Sequence, residues 1–139
     1  MRAIPLLLMA DALVGCTAQP PASSAAAEAA EAQAKLAALT AGKVAGAPTT
    51  CLPPSLRSRN MVIIDEGTIA FEDGRNRTYV NHLRGACDNL HPGFNSLVIR
   101  SGGSGTCSGD LAEVTDVRTG ASYGSCSLGD FVPYTRAGG

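Results

Sequence analysis

The sequence predicts an all-β fold, a small antiparallel β-barrel-like domain held by two disulfides, and three observations carry that expectation. Within residues 51–136, short apolar or alternating runs recur at near-regular spacing between turns rich in Gly, Asn and Asp, the pattern of antiparallel strands that close on themselves. The same stretch holds all six aromatic residues of the chain together with Cys51, Cys87, Cys107 and Cys126. Residues 17–50, by contrast, are almost entirely Ala, Pro, Ser, Thr, Gly, Glu, Gln and Lys, a composition with too little apolar surface to pack a core.

The elements follow in chain order. Met1 and Arg2 precede an apolar run over 3–14, interrupted by Asp11, that ends in Leu13-Val14-Gly15-Cys16. This ending resembles the lipobox at which bacterial lipoproteins are cleaved. Residues 1–15 are then a signal peptide, and Cys16 becomes the first mature residue and carries lipid, palmitate included. The run is too short to cross a bilayer, which takes about 20 apolar residues. Thr17 after the cysteine is compatible with the outer membrane.

Residues 16–50 read as a lipidated, Ala-rich tether, helical or disordered. Ser23 or Ser24 can cap a helix through the alanines to about residue 41, with Gly42 ending it and Glu31 and Lys35 spaced for an i,i+4 pair. Leu36, Leu39 and Val44 are too few for a coiled-coil seam.

The domain proper is assigned to 51–136, with 137–139 a disordered tail. Strands are expected over 61–64, 68–72, 78–83, 96–100, 111–117, 123–127 and 131–134. The first two form a hairpin about Asp65-Glu66-Gly67, with the glycine left-handed. The predicted core is Val62, Ile64, Ile69, Phe71, Val80, Leu83, Leu97, Ile99, Val114 and Phe131. Four cysteines beyond Cys16 imply two disulfides in an exported domain of this size. Three connectivities are possible, and if the first and last strands are neighbours the nested pairs Cys51–Cys126 and Cys87–Cys107 follow.

Charge argues against nucleic acid as a partner. Residues 51–136 carry eight arginines, no lysine and nine acids, whereas a nucleic-acid binder is clearly basic. An Arg-only surface can read an anionic ligand, although surface ion pairs are the simpler account of it.

Several segments together resemble a family of small, uncharacterised proteobacterial lipoproteins with a domain of unknown function after an exported leader. They are Cys51-Leu52, Val62-Ile63-Ile64-Asp65 before Thr68-Ile69, Tyr79-Val80 leading through Leu83 to Cys87, the Gly-rich turn before Cys107, and Cys126-Ser127-Leu128-Gly129-Asp130-Phe131. The likeness covers about 51–133. It departs after Cys87, where Asp88-Asn89-Leu90-His91-Pro92-Gly93 replaces a Pro-Gly-Leu. It implies a disulfide-stabilised β domain and brings no catalytic residues.

Motifs for chemistry are sparse. Gly120-Ala121-Ser122-Tyr123-Gly124 matches the nucleophile-elbow pattern, but a strand and Cys126 follow where a helix is required, so it reads as a β-turn. His82, Cys87 and His91, with Asp88, are a nominal zinc set without finger spacing, and a disulfide at Cys87 would remove the thiolate. Asp65-Glu66 and Glu72-Asp73 are paired carboxylates at turns, where solvated acids are ordinary. The function expected is a non-enzymatic, lipid-anchored, periplasm-facing module that binds an envelope protein or glycan, with no cofactor and no metal. Two other readings compete: an inhibitor of lysozyme-like or proteolytic enzymes acting through loop 102–106 or 119–124, and a metal-binding domain or small hydrolase using Asp65, Glu66, His82 and His91.

Overall fold

A computed structural model describes residues 24–56, 60–85, 87–103 and 105–138. Cys16 and the leader lie outside the described residues. Among the described residues the chain forms one helix, α1 (Ser24–Thr40), and eight strands: β1 (Lys43–Ala45), β2 (Met61–Asp65), β3 (Thr68–Asp73), β4 (Arg77–His82), β5 (Asn95–Arg100), β6 (Leu111–Asp116), β7 (Ser122–Ser127) and β8 (Phe131–Arg136). All pairings are antiparallel, in a five-stranded sheet ordered β1-β8-β4-β3-β2 and a three-stranded sheet ordered β5-β6-β7. Seven strands fall where alternation and turn chemistry put them, and β1 is additional.

The fold is mostly β with two disulfides, but the sheets do not close into the expected barrel. They face each other as layers. Side chains that alternate inward from the large sheet (Ile69, Phe71, Tyr79, Phe131) meet Leu97, Ala112, Val114 and Cys126 of the small one in a single core. At its centre the Phe71 and Phe131 rings pack edge-to-face at 5.9 Å. Among the described residues only isolated bridges link the sheets at their ends, Arg84 to Ser127 and Cys51 to Cys107, so the ladder is interrupted rather than continuous.

Disulfides join Cys51 to Cys107 and Cys87 to Cys126, which corrects the nested expectation. The physical reason lies in the topology. Thr49 pairs with Phe131 at the edge of the large sheet, and this delivers Cys51 to Cys107 just ahead of β6 rather than to β7.

The Ala-rich segment is a third layer rather than a free tether. α1 lies on the outer face of the large sheet, where Ala32, Leu36 and Leu39 cover Val62, Ile64 and Ala70. Alanine's short side chain lets the helix sit close, and two lysines fix it there. Lys35 Nζ donates to the Ile63 carbonyl at 2.7 Å, so it does not form the pair expected with Glu31. Lys43 Nζ donates to the Leu39 carbonyl at 2.6 Å and to Thr78 Oγ1 at 2.8 Å, and Gly42 (φ 68°) turns the chain from helix into β1. The boundary expected at residue 51 therefore falls inside the packed unit.

Because both faces of the large sheet are covered, Thr68, Ile69, Ala70 and Phe71 of β3 are all buried. The predicted core mixed these faces. Met61 and Ile63 of β2 stand with Phe71 and Ile69 on the inter-sheet side, whereas Val62 lies under the helix. A register shift between Ile63 and Asp65 at the β2–β3 turn helps to explain the slip. In that turn Asp65 Oδ1 accepts the Gly67 N–H at 2.8 Å, and Gly67 does not adopt the left-handed conformation expected of it. Residues 137 and 138, expected as a disordered tail, form a turn after β8.

Candidate functional site

The β2–β3 turn and residues 90–94 rise beside the N-terminal half of α1, and the three enclose a groove of about 830 Å³. The 87–94 loop is built to approach the helix. Cys87 is anchored to β7 through Cys126, Leu90 N–H bonds the Cys87 carbonyl at 3.1 Å, and Asn89 (φ 67°) and Gly93 (φ 85°) supply the left-handed steps that bend the loop outward. Ala32, Ile64 and Leu90, all buried, form the floor. Phe94 stands at the mouth with 74% of its surface exposed, the most exposed large apolar side chain among the described residues.

The rim is acidic. Glu28 and Glu31, three apart on α1, line one side, and Asp65 and Glu66 line the other. His91 Nε2 lies 3.6 Å from Glu66 Oε1, and the Lys35 ammonium is occupied by the Ile63 carbonyl. Four carboxylates thus face two cationic or potentially cationic groups, both already engaged.

The residues named for hydrolysis are only partly gathered. Asp65, Glu66 and His91 line the groove, but His82 does not. It is exposed on β4 opposite Thr68, with Nδ1 3.4 Å from Thr68 Oγ1. Asp65 is committed to the turn through Gly67. The nominal zinc set fails at Cys87, whose sulfur is in a disulfide and buried. Among the described residues no three His, Cys, Asp or Glu side chains gather as metal ligands.

Ser122 does not sit on an elbow. It opens β7 after the β6–β7 turn, and a strand follows it. Its hydroxyl lies beside the Glu113 carboxylate, which accepts Arg100 Nε at 3.0 Å and Nη2 at 2.8 Å. The neighbouring Ser122 hydroxyl and then Arg100 hold Glu113 below the usual carboxylate range. The turn itself is braced by Asp116, whose Oδ1 accepts the N–H groups of Thr119 at 2.9 Å and Arg118 at 2.7 Å, lowering its pKa. Glu72-Asp73 is likewise a turn feature, with Asp73 3.9 Å from Arg77 across the β3–β4 connection.

Sequence reasoning missed the groove because one wall belongs to a segment read as spacer. The available signal was Phe94, an aromatic residue in a turn-rich loop next to Pro92-Gly93. Comparison with protein-family models, with curated proteins and with solved structures finds no match. Two disulfides in a domain this small indicate an oxidising, exported compartment. Among the described residues no helix is long and apolar enough to cross a membrane.

Proposed function

We propose that this chain is a lipid-anchored lipoprotein of the cell envelope, related to the small proteobacterial lipoproteins it resembles, and that it serves as a non-enzymatic binding module facing the periplasm. Leu13-Val14-Gly15-Cys16 supplies the anchor at Cys16, and Thr17 is consistent with sorting to the outer membrane. The observation that carries the binding role is the groove beside α1: an apolar floor, a largely uncovered Phe94 and an acidic rim, on a scaffold stapled by two disulfides. A concave apolar site with a few polar groups at its edge is the usual form of a recognition surface. The partner is an envelope protein or glycan.

The test expresses the full chain in a Gram-negative host fed an alkyne-tagged palmitate. The expected result is a labelled envelope protein whose labelling is lost in Cys16→Ser. Cross-linking from intact envelopes is expected to recover a discrete partner. An unlabelled product that stays soluble in the cytoplasm with free thiols would overturn the proposal.

A further inference from the structure

Resting on the binding-module reading, we infer that the groove between α1 and residues 90–94 takes a short peptide segment of a partner protein in which basic and apolar residues alternate. Above the covered floor of Ala32, Ile64 and Leu90, the exposed Ala25, Ala29 and Pro92 give apolar side chains a surface to lie on, and Phe94 stands beside them with no protein atom covering most of its surface. Exposed aromatic residues at the edge of a pocket are the type of group that anchors an interface. The rim selects the sign of the charge. Glu28 and Glu31 on one side face Asp65 and Glu66 on the other, while Lys35 directs its ammonium to the Ile63 carbonyl.

An anionic headgroup or anionic glycan would enter against four carboxylates offset by the single ammonium of Lys35 and by His91 beside Glu66, a net acidic rim, whereas lysine or arginine side chains would reach Glu28 and Glu31 as their apolar neighbours lie against Ala25, Ala29 and Phe94. The volume of about 830 Å³ lies in the range of about 300–1,000 Å³ typical of ligand sites, so it accommodates a few residues rather than a domain. The rim carboxylates are solvated, so they steer and select more than they tighten.

The experiment uses the purified full-length chain with its disulfides intact and fluorescein-labelled hexapeptides read by anisotropy. One peptide alternates lysine with leucine, the second has glutamate for lysine, and the third has glycine for leucine. Saturable binding of the first is expected, with both controls at least tenfold weaker. Glu28→Gln combined with Glu31→Gln is expected to weaken binding at least fivefold and to flatten its salt dependence, and Phe94→Ser to weaken it at least tenfold. All three positions are exposed, and unchanged melting by circular dichroism verifies that the variants fold. Lack of saturable binding, equal affinity for the glutamate peptide, or indifference to both variants overturns the inference. Cross-linking from intact envelopes separates the two readings, because the Cys16 lipid retains every variant alike. If the wild type and the groove variants recover the same partner equally, the groove assignment fails and the module stands; if the wild type recovers no discrete partner, the module reading itself fails.

Discussion

Asn81 holds Gly129 as a neighbouring strand would: its Oδ1 accepts the Gly129 N–H at 3.0 Å and its Nδ2 donates to the Gly129 carbonyl at 2.7 Å. Both residues are buried, and a second contact from Nδ2 reaches the Asp130 carbonyl at 3.3 Å. One amide side chain thereby satisfies the backbone of the connection between β7 and β8, where no ladder is available. Asn81→Leu leaves the Gly129 donor and acceptor buried without partners, and a loss of about 2–4 kcal/mol is expected from urea unfolding followed by circular dichroism. Gly129→Ala is expected to cost at least as much. Its Cβ would overlap the His82 carbonyl oxygen, a backbone atom that cannot swing aside.

The disulfide pairing predicts a defined reduction order. Cys87 and Cys126 are buried, whereas Cys51 is exposed and Cys107 half-buried. Titration with a mild phosphine reductant followed by alkylation and mass spectrometry is expected to open Cys51–Cys107 first. Replacing either pair by serine is expected to destabilise by about 4 kcal/mol, since the loops closed are similar, with separations of 56 and 39 residues.

Acid should weaken the contacts of two carboxylates in the small sheet. Glu113 is held below its ordinary range by Ser122 and Arg100, and Asp116 by the N–H groups of Thr119 and Arg118. A depressed folded-state pKa contributes stability that is fully present above the unfolded-state value and is lost as pH falls through the folded one. NMR titration is expected to find Glu113 and Asp116 each ionising below the ordinary value for its residue type. Ser122→Ala is expected to raise the Glu113 midpoint, and equal midpoints in the two proteins would contradict the assignment.

Helix docking can be tested without touching the sheets. Ala32→Asp places a carboxylate against Ile64 and Ala70, and a penalty of about 2–4 kcal/mol on the docked helix is expected. The measurable outcome is faster amide exchange in α1 and at Ile64, together with binding of an apolar dye, while both disulfides and β-sheet signal persist.

Legibility in the sequence followed the range of the physics involved. Hairpin strands were readable because alternation and turn residues are local, as at Thr68-Ile69-Ala70-Phe71 and at the Asp73-Gly74 turn, where Gly74 takes φ 64°. That two disulfides form was also readable. Which cysteines pair was not, since Cys51 finds Cys107 only through the Thr49–Phe131 contact 82 residues away in sequence. The face of β2 was misread because a one-residue slip exchanges Val62 with Ile63 and nothing local fixes it. A helix was one of two readings open for the Ala-rich segment, and its docking was not read at all. Ala32, Leu36 and Leu39 form a weak apolar stripe that acquires meaning only when a second sheet face needs covering. Asn81 carried no signal, because a strand asparagine gains its partners only from the tertiary fold.

The placement of the two disulfides divides the molecule mechanically. Each stitches the large sheet's surroundings to the small sheet, and neither reaches α1, which among the described residues is held by Ala32, Leu36 and Leu39, by the Lys35 bond to the Ile63 carbonyl, and by the Lys43 and Thr78 bonds to the Leu39 carbonyl. Tension applied at the amino end would therefore peel the helix away as a flap while the cross-linked sandwich stays shut. The wall of the groove is thus the part of this protein that is easiest to lift.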